Sequence, residues 1–253
     1  MLDGMKIATQ GMQAMMYQQD IISNNLANVN TSGFQGSAGI TRSFGAELMS
    51  HMENEGYEAV GGVQNGVPTV AIKTATKFSP GGMQATGNHT DLALGNNGFF
   101  TIQGADGKTK FTRNGNFSVN DQGLLVNADG SSLLGFNGPI RIPKGKQFKV
   151  DDRGNVAVDG ENIARLRITE FKDINDLYKT GNNAFMPKNP TNVGQISANP
   201  QVRQGFLETS NVSVVKEMIK MMDVERAYES NEKVIQAEDQ MLQKSIQEVG
   251  RAG

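Results

Sequence analysis

The longest stretch without a helix-breaking residue lies near the end of the chain, and it limits the possible folds more than any other feature. Residues 206–249 contain neither Gly nor Pro. This composition predicts one long helix, with Ser213 as its N-cap and Glu217 in its first turn. A seven-residue period in this run predicts a helix that packs against another helix. The apolar or aromatic positions that carry the period are Val214, Met221, Tyr228, Ile235, Leu242 and Val249.

The N-terminal segment repeats this pattern less regularly. Two adjacent rows run along it: Met5, Met12, Gln19 and Leu26 form one, and Ala8, Met15, Ile22 and Val29 form the other. The pattern stops at residues 28–33, where cap-forming and turn-forming residues end the helix and Gly33 suits a left-handed C-cap. Neither helix can bury its stripe alone, so we expect the two chain ends to pair. An ordinary amphipathic helix pair that covers a core is the alternative.

The middle of the chain has a different composition, with short apolar segments between turn dipeptides. Asp106-Gly107, Asn114-Gly115, Gln122-Gly123 and Asp129-Gly130 follow one another at intervals of seven to eight residues. This spacing is typical of a meandering antiparallel sheet. The candidate strands are Phe99 to Ile102, Lys110 to Arg113, Leu124 to Val126, Phe148 to Val150, Val156 to Val158 and Arg165 to Phe171.

These patterns predict an α+β fold, with paired coiled-coil-like terminal helices and a mainly antiparallel β middle. The predicted domains are a helical assembly domain formed by residues 1–33 and 206–253, a linker or partly ordered arm at 34–68, and an all-β domain at 69–205. Glycine-rich pieces in the arm, such as Gly61-Gly62, support its assignment as a linker.

Composition excludes several classes of protein. The 24 Lys and Arg residues nearly balance the 26 Asp and Glu residues, so the chain lacks the positive charge of a dedicated nucleic-acid binder. It has no Cys and only two His residues, which leaves few groups for a metal site or a nucleophile. Gly107-Lys108-Thr109 has the wrong spacing for a phosphate-binding loop. No apolar stretch is long enough to span a bilayer, and the N-terminus does not match a secretory signal.

We therefore expect no catalytic residue, no cofactor and no metal, and no enzyme activity. A secreted adhesin whose β region binds a glycan or a surface ligand stays open as an alternative, although no residue argues for it directly. The other competing class is a ligand-binding or enzymatic β domain whose helices serve only for oligomerisation. A deep pocket with two interacting carboxylates would favour that class.

Three motifs in order along the chain go beyond these patterns. Residues 24–34 read Asn-Asn-Leu-Ala-Asn-Val-Asn-Thr-Ser-Gly-Phe. The middle contains Gly98-Phe99-Phe100-Thr101-Ile102 and residues 111–117, and the end contains Glu208 to Val212 and residues 225–231. Together they closely resemble the rod and hook family of bacterial flagellar axial proteins.

The resemblance implies a structural subunit of the basal-body rod. The chain would self-assemble through its terminal helices into the hollow axial shaft that transmits torque across the periplasm. Residues 86–88, 91–94, 112–117 and 138–143 look like the proximal rod; residues 208–212 and 239–244 look more like the distal rod. The proximal rod is favoured, and a distal-rod or hook subunit is the alternative.

The resemblance also implies partners and a route of export. The partners would be copies of the same chain, neighbouring rod and hook proteins, and the flagellar export apparatus, which needs no cleaved signal peptide; no nucleic-acid binding or membrane insertion is expected. For the positions at the helix ends, capping and packing within the chain is an equally weighted alternative. The predicted assembly interface consists of Met5, Met12, Met15, Ile22, Asn24, Asn25, Leu26, Ala27, Asn28, Val29, Gly33, Phe34, Val214, Met221, Arg226, Ala227, Tyr228, Ile235, Leu242 and Val249.

Overall fold

The computed structural model describes residues 2–43 and 70–249. Within these ranges the fold is a mixture of helices and antiparallel sheet, which confirms the α+β class. Helix α1 spans Leu2–Ala27 and helix α2 spans Val214–Val249. Most of the predicted arm, residues 44–68, lies outside the described residues.

Nineteen strands lie in the described part of the chain. They are β1 (Ser37–Ser43), β2 (Val70–Thr76), β3 (Met83–Ala85), β4 (Leu92–Leu94), β5 (Phe99–Gln103), β6 (Thr109–Thr112), β7 (Ser118–Val119), β8 (Leu125–Val126), β9 (Ser132–Gly135), β10 (Gly138–Pro139), β11 (Phe148–Val150), β12 (Asn155–Val158), β13 (Glu161–Arg165), β14 (Ile168–Glu170), β15 (Leu177–Lys179), β16 (Ala184–Pro187), β17 (Gln195–Ile196), β18 (Val202–Gln204) and β19 (Phe206–Glu208). One 3₁₀ turn, Ile174–Asp176, precedes β15.

The chain divides into two units. The helical unit contains residues up to Ala27, Ser37–Ala75 and the chain from Ser213 onward. The β unit contains Asn28–Gly36 and Thr76–Val212.

In the helical unit α1 and α2 contact each other, and β1 pairs with β2. Two points of close approach give the direction of the helices. Asn25 is hydrogen-bonded to Glu217, and a Cβ added at Gly11 would lie 3.1 Å from Asn231 Nδ2. Going from the first contact to the second means moving back fourteen residues in α1, from Asn25 to Gly11. In α2 it means moving forward fourteen residues, from Glu217 to Asn231. The helices are therefore antiparallel and keep the same alignment over two heptads, a distance of about 21 Å.

The residues that face the partner helix follow the seven-residue period in both helices. In α1 the row Ala8, Met15 and Ile22 is buried or half-buried. In the second predicted row Met5, Met12 and Leu26 are half-buried and Gln19 is exposed. Gly11 and Asn25, which approach α2 closely, belong to a further row with Gln18. In α2 the inner row is Glu217, Val224, Asn231 and Glu238. In the predicted row beside it Met221, Ile235 and Leu242 are half-buried, whereas Val214 and Tyr228 are exposed.

The β unit is built on a ten-stranded sheet in which every recorded pairing is antiparallel. Its main path runs β15-β16-β6-β5-β9-β8-β7, and β10, β14 and β17 pair beside it. A three-stranded sheet, β11-β12-β13, and the pairs β18-β4 and β19-β3 complete the unit. The sequence therefore predicted the antiparallel middle correctly.

Two apolar clusters hold these strands together. The larger cluster includes Phe100, Ile102, Leu133 and Ile168, all almost completely buried. The smaller one is aromatic, and Phe99 and Phe185 at its centre meet edge to face at 5.8 Å. Edge-to-face rings add about 0.5–1.5 kcal/mol per pair to the burial of their area.

Several predicted turns form as expected. Gly107, Gly123 and Gly130 take positive φ values of 74°, 77° and 78°, a conformation that favours Gly. Gly115 has a different role, because a Cβ there would lie 1.5 Å from the carbonyl oxygen of Leu92. Its missing side chain allows two backbone segments to approach each other.

Helix α2 is shorter at its start than the run without Gly and Pro. Phe206–Glu208 form strand β19, which pairs with β3. Leu207 and Glu208 are buried there, at 8% and 2% exposure. Burial in a sheet outweighs the weak helix preference of these residues, and the helix begins after Ser213.

Candidate functional site

A buried amide connects α1, α2 and the start of β1 within the helical unit. Asn25 lies in the last turn of α1 and is only 2% exposed. Its Nδ2 donates to the carbonyl oxygen of Ser37 at 2.7 Å and to Glu217 Oε2 at 3.2 Å. The backbone N–H of Ser37 donates to Asn25 Oδ1 at 2.9 Å. Both ends of the amide are thus satisfied, as a buried polar group requires.

Glu217 is the acidic partner in this contact and is 6% exposed. It lies in the first turn of α2, where the helix dipole stabilises a negative charge. Lys220, one turn later, donates to its other carboxylate oxygen. The carboxylate therefore has a cation, an amide and the helix terminus around it, which offset its loss of water.

In the β unit a second buried carboxylate holds three separate segments of the chain. Arg113 Nη1 donates to Glu208 Oε2 at 3.1 Å, Gln35 Nε2 donates to Oε1 at 3.2 Å, and the N–H of Gly81 donates to Oε1 at 3.0 Å. Arg113 and Glu208 are 6% and 2% exposed. The Arg113 guanidinium also stacks over Phe99 at 5.1 Å. A charge pair buried this deeply needs all of these donors to be stable.

Asn211 fixes the segment that follows the 24–34 motif. The N–H of Gly36 donates to Asn211 Oδ1 at 2.7 Å, and Asn211 Nδ2 donates to Gln35 Oε1 at 2.8 Å. The backbone N–H of Asn211 donates to the carbonyl oxygen of Phe34 at 3.2 Å. Residues 34–36 are therefore held to the chain just before α2 by both side-chain and backbone bonds.

Gly33 occupies a position that only glycine fits. Its φ is +65°, and a Cβ would lie 2.4 Å from the carbonyl carbon of Arg113. Its N–H donates to the carbonyl oxygen of Glu208 at 2.7 Å. Beside it, Phe34 is 7% exposed and lies under the ammonium group of Lys179, 4.3 Å from the ring centre. Gly33 and Phe34, at the end of the motif, therefore pack within the β unit.

The predicted interface residues fall into three groups. The buried ones are Ile22, Asn25, Gly33 and Phe34. The half-buried ones are Met5, Met12, Met15, Leu26, Asn28, Val29, Met221, Ala227, Ile235 and Leu242. The exposed ones are Asn24, Ala27, Val214, Arg226 and Tyr228, and the side chain of Val249 is outside the described residues. Contacts within the chain account for the buried group.

Several important residues were not singled out as a site from the sequence. Glu208, Asn211 and residues 111–117 stand out in the sequence only through the resemblance, and no local pattern pairs Arg113 or Gln35 with a partner. Glu217 stands out only as an acid in the first turn of a helix. A period of seven in Gly11, Gln18 and Asn25 was the available signal for the inner row of α1, but these residues are not apolar and do not form a stripe.

Lys179 gives the β unit a pH dependence that can be measured. Burial lowers the pKa of Lys179 to about 8, while the face of Phe34 favours its charged form. Because the ordinary pKa of Lys is about 10.4, the unfolded chain binds more protons than the folded chain between these two values. We expect the free energy of unfolding to rise between about pH 8 and pH 10.4 because of Lys179, and this gain to be absent below pH 8.

Urea unfolding of the chain at pH 7, 8.5 and 10 would measure this rise. The Lys179→Met variant should lose it, whereas Lys172→Met, at an exposed position, should keep it. An equal rise of the free energy of unfolding with pH in both variants would contradict the assignment to Lys179.

No group of three or more His, Asp or Glu side chains among the described residues is placed to hold a metal ion. No helix in the described ranges combines the length and the apolar character needed to cross a membrane.

Three family models match the chain in order. Residues 5–35 match a model described as flagella basal body rod protein, residues 93–158 match the D1 domain of the flagellar hook proteins FlgE, FlgF and FlgG, and residues 203–248 match the C-terminal part of the basal body rod proteins FlgE, FlgF and FlgG. The two end matches cover most of α1 and α2, and the central match lies in the β unit.

Full-length relatives agree with these matches. The flagellar basal-body rod protein FlgG of Bacillus subtilis is 33% identical over 97% of this chain and 98% of its own length. FlgG of Buchnera aphidicola subsp. Baizongia pistaciae is 31% identical over 96% of this chain and 98% of its own length. The rod protein FlgF of Caulobacter vibrioides is 32% identical over 92% of this chain and 91% of its own length.

The paired terminal helices, the β unit and the order of these matches define a structural protein of the bacterial flagellar axis, a class that is not an enzyme class. The chain belongs to the flagellar basal-body rod protein family. It is a structural subunit of the rod and localises to the flagellar basal body, as the resemblance predicted.

Proposed function

We propose that α1 and α2 form a coiled-coil-like assembly element through which the subunit joins its neighbours in the rod. The observation that carries this proposal is apolar surface left exposed after the helices have paired. In α2, Val215, Met218 and Met222 are 67%, 54% and 52% exposed. Their spacing of three and four residues places them on one face, which is not the face that contacts α1. A contiguous apolar face on a helix indicates a contact with another protein.

The lengths of the helices support the same proposal. Helix α2 has 36 residues and α1 has 26, which correspond to about 54 Å and 39 Å. Because the helices are aligned at Asn25 and Glu217, the last turns of α2 extend beyond the start of α1. Ile246, 70% exposed, lies in that extension and is available to a neighbouring subunit.

Contacts of this kind join two different faces of identical subunits. Such heterologous contacts generate helical tubes when the rotation between subunits does not close a ring. We propose that torque passes through these repeated helix contacts, with the helical unit on the inside and the β unit as the outer wall.

The proposed partners are further copies of this chain and adjacent rod and hook proteins. Export would use the flagellar export apparatus without a cleaved signal, and no nucleic acid or membrane insertion would be involved. The proximal rod is the proposed position, supported by the resemblance of residues 86–88 and 138–143; the distal rod is the alternative. Labelling a tagged chain in isolated basal bodies would distinguish the two positions.

Replacing Ile235 with Asp tests the assembly role. Ile235 is half-buried on the α1-facing side of α2, so a carboxylate there would lose water without gaining a partner, at a cost of several kcal/mol. We expect a strain that carries only Ile235→Asp to assemble no rod and to be non-motile, while the purified variant keeps a folded β unit by circular dichroism.

Gln236→Asp is the matched control, because it adds the same charge at the next, exposed position. It should leave motility near normal. Normal motility with Ile235→Asp, or an equal loss with both variants, would contradict the proposal.

A further inference from the structure

Three side chains of the β unit form an exposed strip that packing within this unit does not explain. The guanidinium of Arg165 stacks over the ring of Phe136 at 5.2 Å, and Phe136 is 44% exposed. Arg167, two residues further along the chain, is also exposed. Neither guanidinium forms a salt bridge with a residue that the structure describes. We name Phe136, Arg165 and Arg167 the basic strip.

The path of the chain gives the basic strip a defined order. Leu166 and Ile168 are buried at 2% and 1% exposure, so the two arginines that alternate with them lie on the opposite face. Residues two apart on an extended chain are separated by about 6.6 Å. The backbone N–H of Phe136 donates to the carbonyl oxygen of Arg165 at 3.0 Å. The ring therefore lies beside Arg165, and Arg167 lies beyond it.

One exposed face of α2 presents matching residues in the same order. This face, which we name the outer face, begins with the apolar Val215, Met218 and Met222. Glu225 and Glu229 follow Met222 at steps of three and four residues, so they continue the same face, and both are exposed. The two glutamates are about 6 Å apart along the helix axis, which is close to the separation of the two arginines.

The charges of α2 favour a cationic partner at this point. Glu225 and Glu229 carry like charges one turn apart, an arrangement that destabilises a helix. Lys233 lies one turn beyond Glu229, but no salt bridge joins these two described residues. Asp and Glu outnumber Lys and Arg in the helical unit, whereas the reverse holds in the β unit. A basic surface of the β unit is therefore complementary to the outer face of α2.

We propose that the basic strip docks on the outer face of α2 in a neighbouring copy of the chain. The ring of Phe136 would lie against Met222, and the two guanidiniums would pair with the two glutamates. Arginine and aromatic residues are enriched at the centre of protein interfaces. The proposal rests on the proposed assembly role, and it names the surface that covers the exposed apolar residues of α2.

Charge reversal tests these pairs in a strain that carries only the variant chain. Arg167→Glu places a carboxylate opposite Glu229, and like charges across an interface oppose association. We expect about ten-fold fewer basal bodies with a complete rod, and the same loss with Glu229→Arg alone. The double variant restores unlike charges, and we expect its yield to return to within about three-fold of the unchanged chain.

Arg153→Glu is the matched control for the reversal. Arg153 is an exposed arginine of the β unit in the turn before β12, outside the basic strip. Its reversal should leave the yield of rods unchanged. The double variant also controls for folding, because a yield lost through misfolding of Arg167→Glu would not return when Glu229→Arg is added.

Chemical cross-linking tests whether the contact joins two copies. The chain has no cysteine of its own, so Arg167→Cys with Glu229→Cys provides two defined thiols. A short bis-maleimide added to isolated basal bodies should give a ladder of cross-linked dimers and larger products on a denaturing gel. An intramolecular product without dimers would overturn the assignment to a neighbouring copy.

Three further results would overturn the inference: a normal yield in both single reversals, an equal loss in Arg153→Glu, or no recovery in the double variant. These results are distinguishable from a failure of the proposed function. Ile235→Asp tests the α1-facing side of α2 and does not involve the basic strip. If Ile235→Asp abolishes the rod while Arg167→Glu has no effect, only the docking of the basic strip is wrong.

Discussion

Replacing Glu208 with Ala should destabilise the β unit by about 3–5 kcal/mol, the usual effect of removing one partner from a buried ion pair. The substitution leaves the guanidinium of Arg113 unpaired at 6% exposure. It also removes the acceptor of Gln35 Nε2 and of the Gly81 N–H. The three segments held by this carboxylate, around residues 35, 81 and 113, would lose their common contact.

Thermal unfolding followed by circular dichroism in the β region measures this effect. For a unit of this size, each kcal/mol lowers Tm by roughly 2–4 °C, so we expect a decrease of about 6–20 °C. Glu161→Ala is the matched control, because Glu161 is an exposed carboxylate on strand β13. It should change Tm little. A Glu208→Ala variant as stable as Glu161→Ala would show that the ion pair does not contribute.

Replacing Gly33 with Ala should have a comparable effect by a different mechanism. The positive φ of +65° costs an L residue about 1–2 kcal/mol. In addition, the new Cβ would lie 2.4 Å from backbone atoms of Arg113 and Asn114, so the two segments must move apart. That movement would stretch the bond from the Gly33 N–H to Glu208 and bring the total loss above about 3 kcal/mol.

Gly130→Ala separates the two contributions. Gly130 has a similar φ of +78°, but nothing lies within 4 Å of an added Cβ. Chemical denaturation of both variants should show a loss of about 1–2 kcal/mol for Gly130→Ala and a larger loss, above about 3 kcal/mol, for Gly33→Ala. Equal losses would mean that backbone conformation alone, and not the close approach, makes glycine necessary at position 33.

The 24–34 motif contains residues of both units. Asn25 belongs to the helical unit and is satisfied by Ser37 and Glu217. Gly33 and Phe34 belong to the β unit and are packed there. Whether the exposed members of the predicted interface, such as Arg226 and Tyr228, contact other subunits stays a prediction.

Much of the architecture was predictable from local patterns. A helix ending near Asn28 and a second one after Ser213 follow from the seven-residue period and from capping residues, which act over a few positions. The antiparallel middle follows from turn dipeptides such as Asp129-Gly130, where Gly takes a positive φ. The strand Phe206–Glu208 was missed because its stability comes from pairing with Met83–Ala85, far away in the chain.

The sequence by itself determined the two helices, the turn-rich β middle and, through its ordered motifs, the family. These features depend on neighbouring residues and on periodicity, which a linear pattern records. Only the tertiary structure decided which row of α1 faces α2, and that Arg113 pairs with Glu208 across 95 residues. It also decided that Gly33 is required for a close backbone approach. Contacts of this kind depend on the three-dimensional path of the chain, because a buried polar side chain is stable only where a distant partner satisfies it.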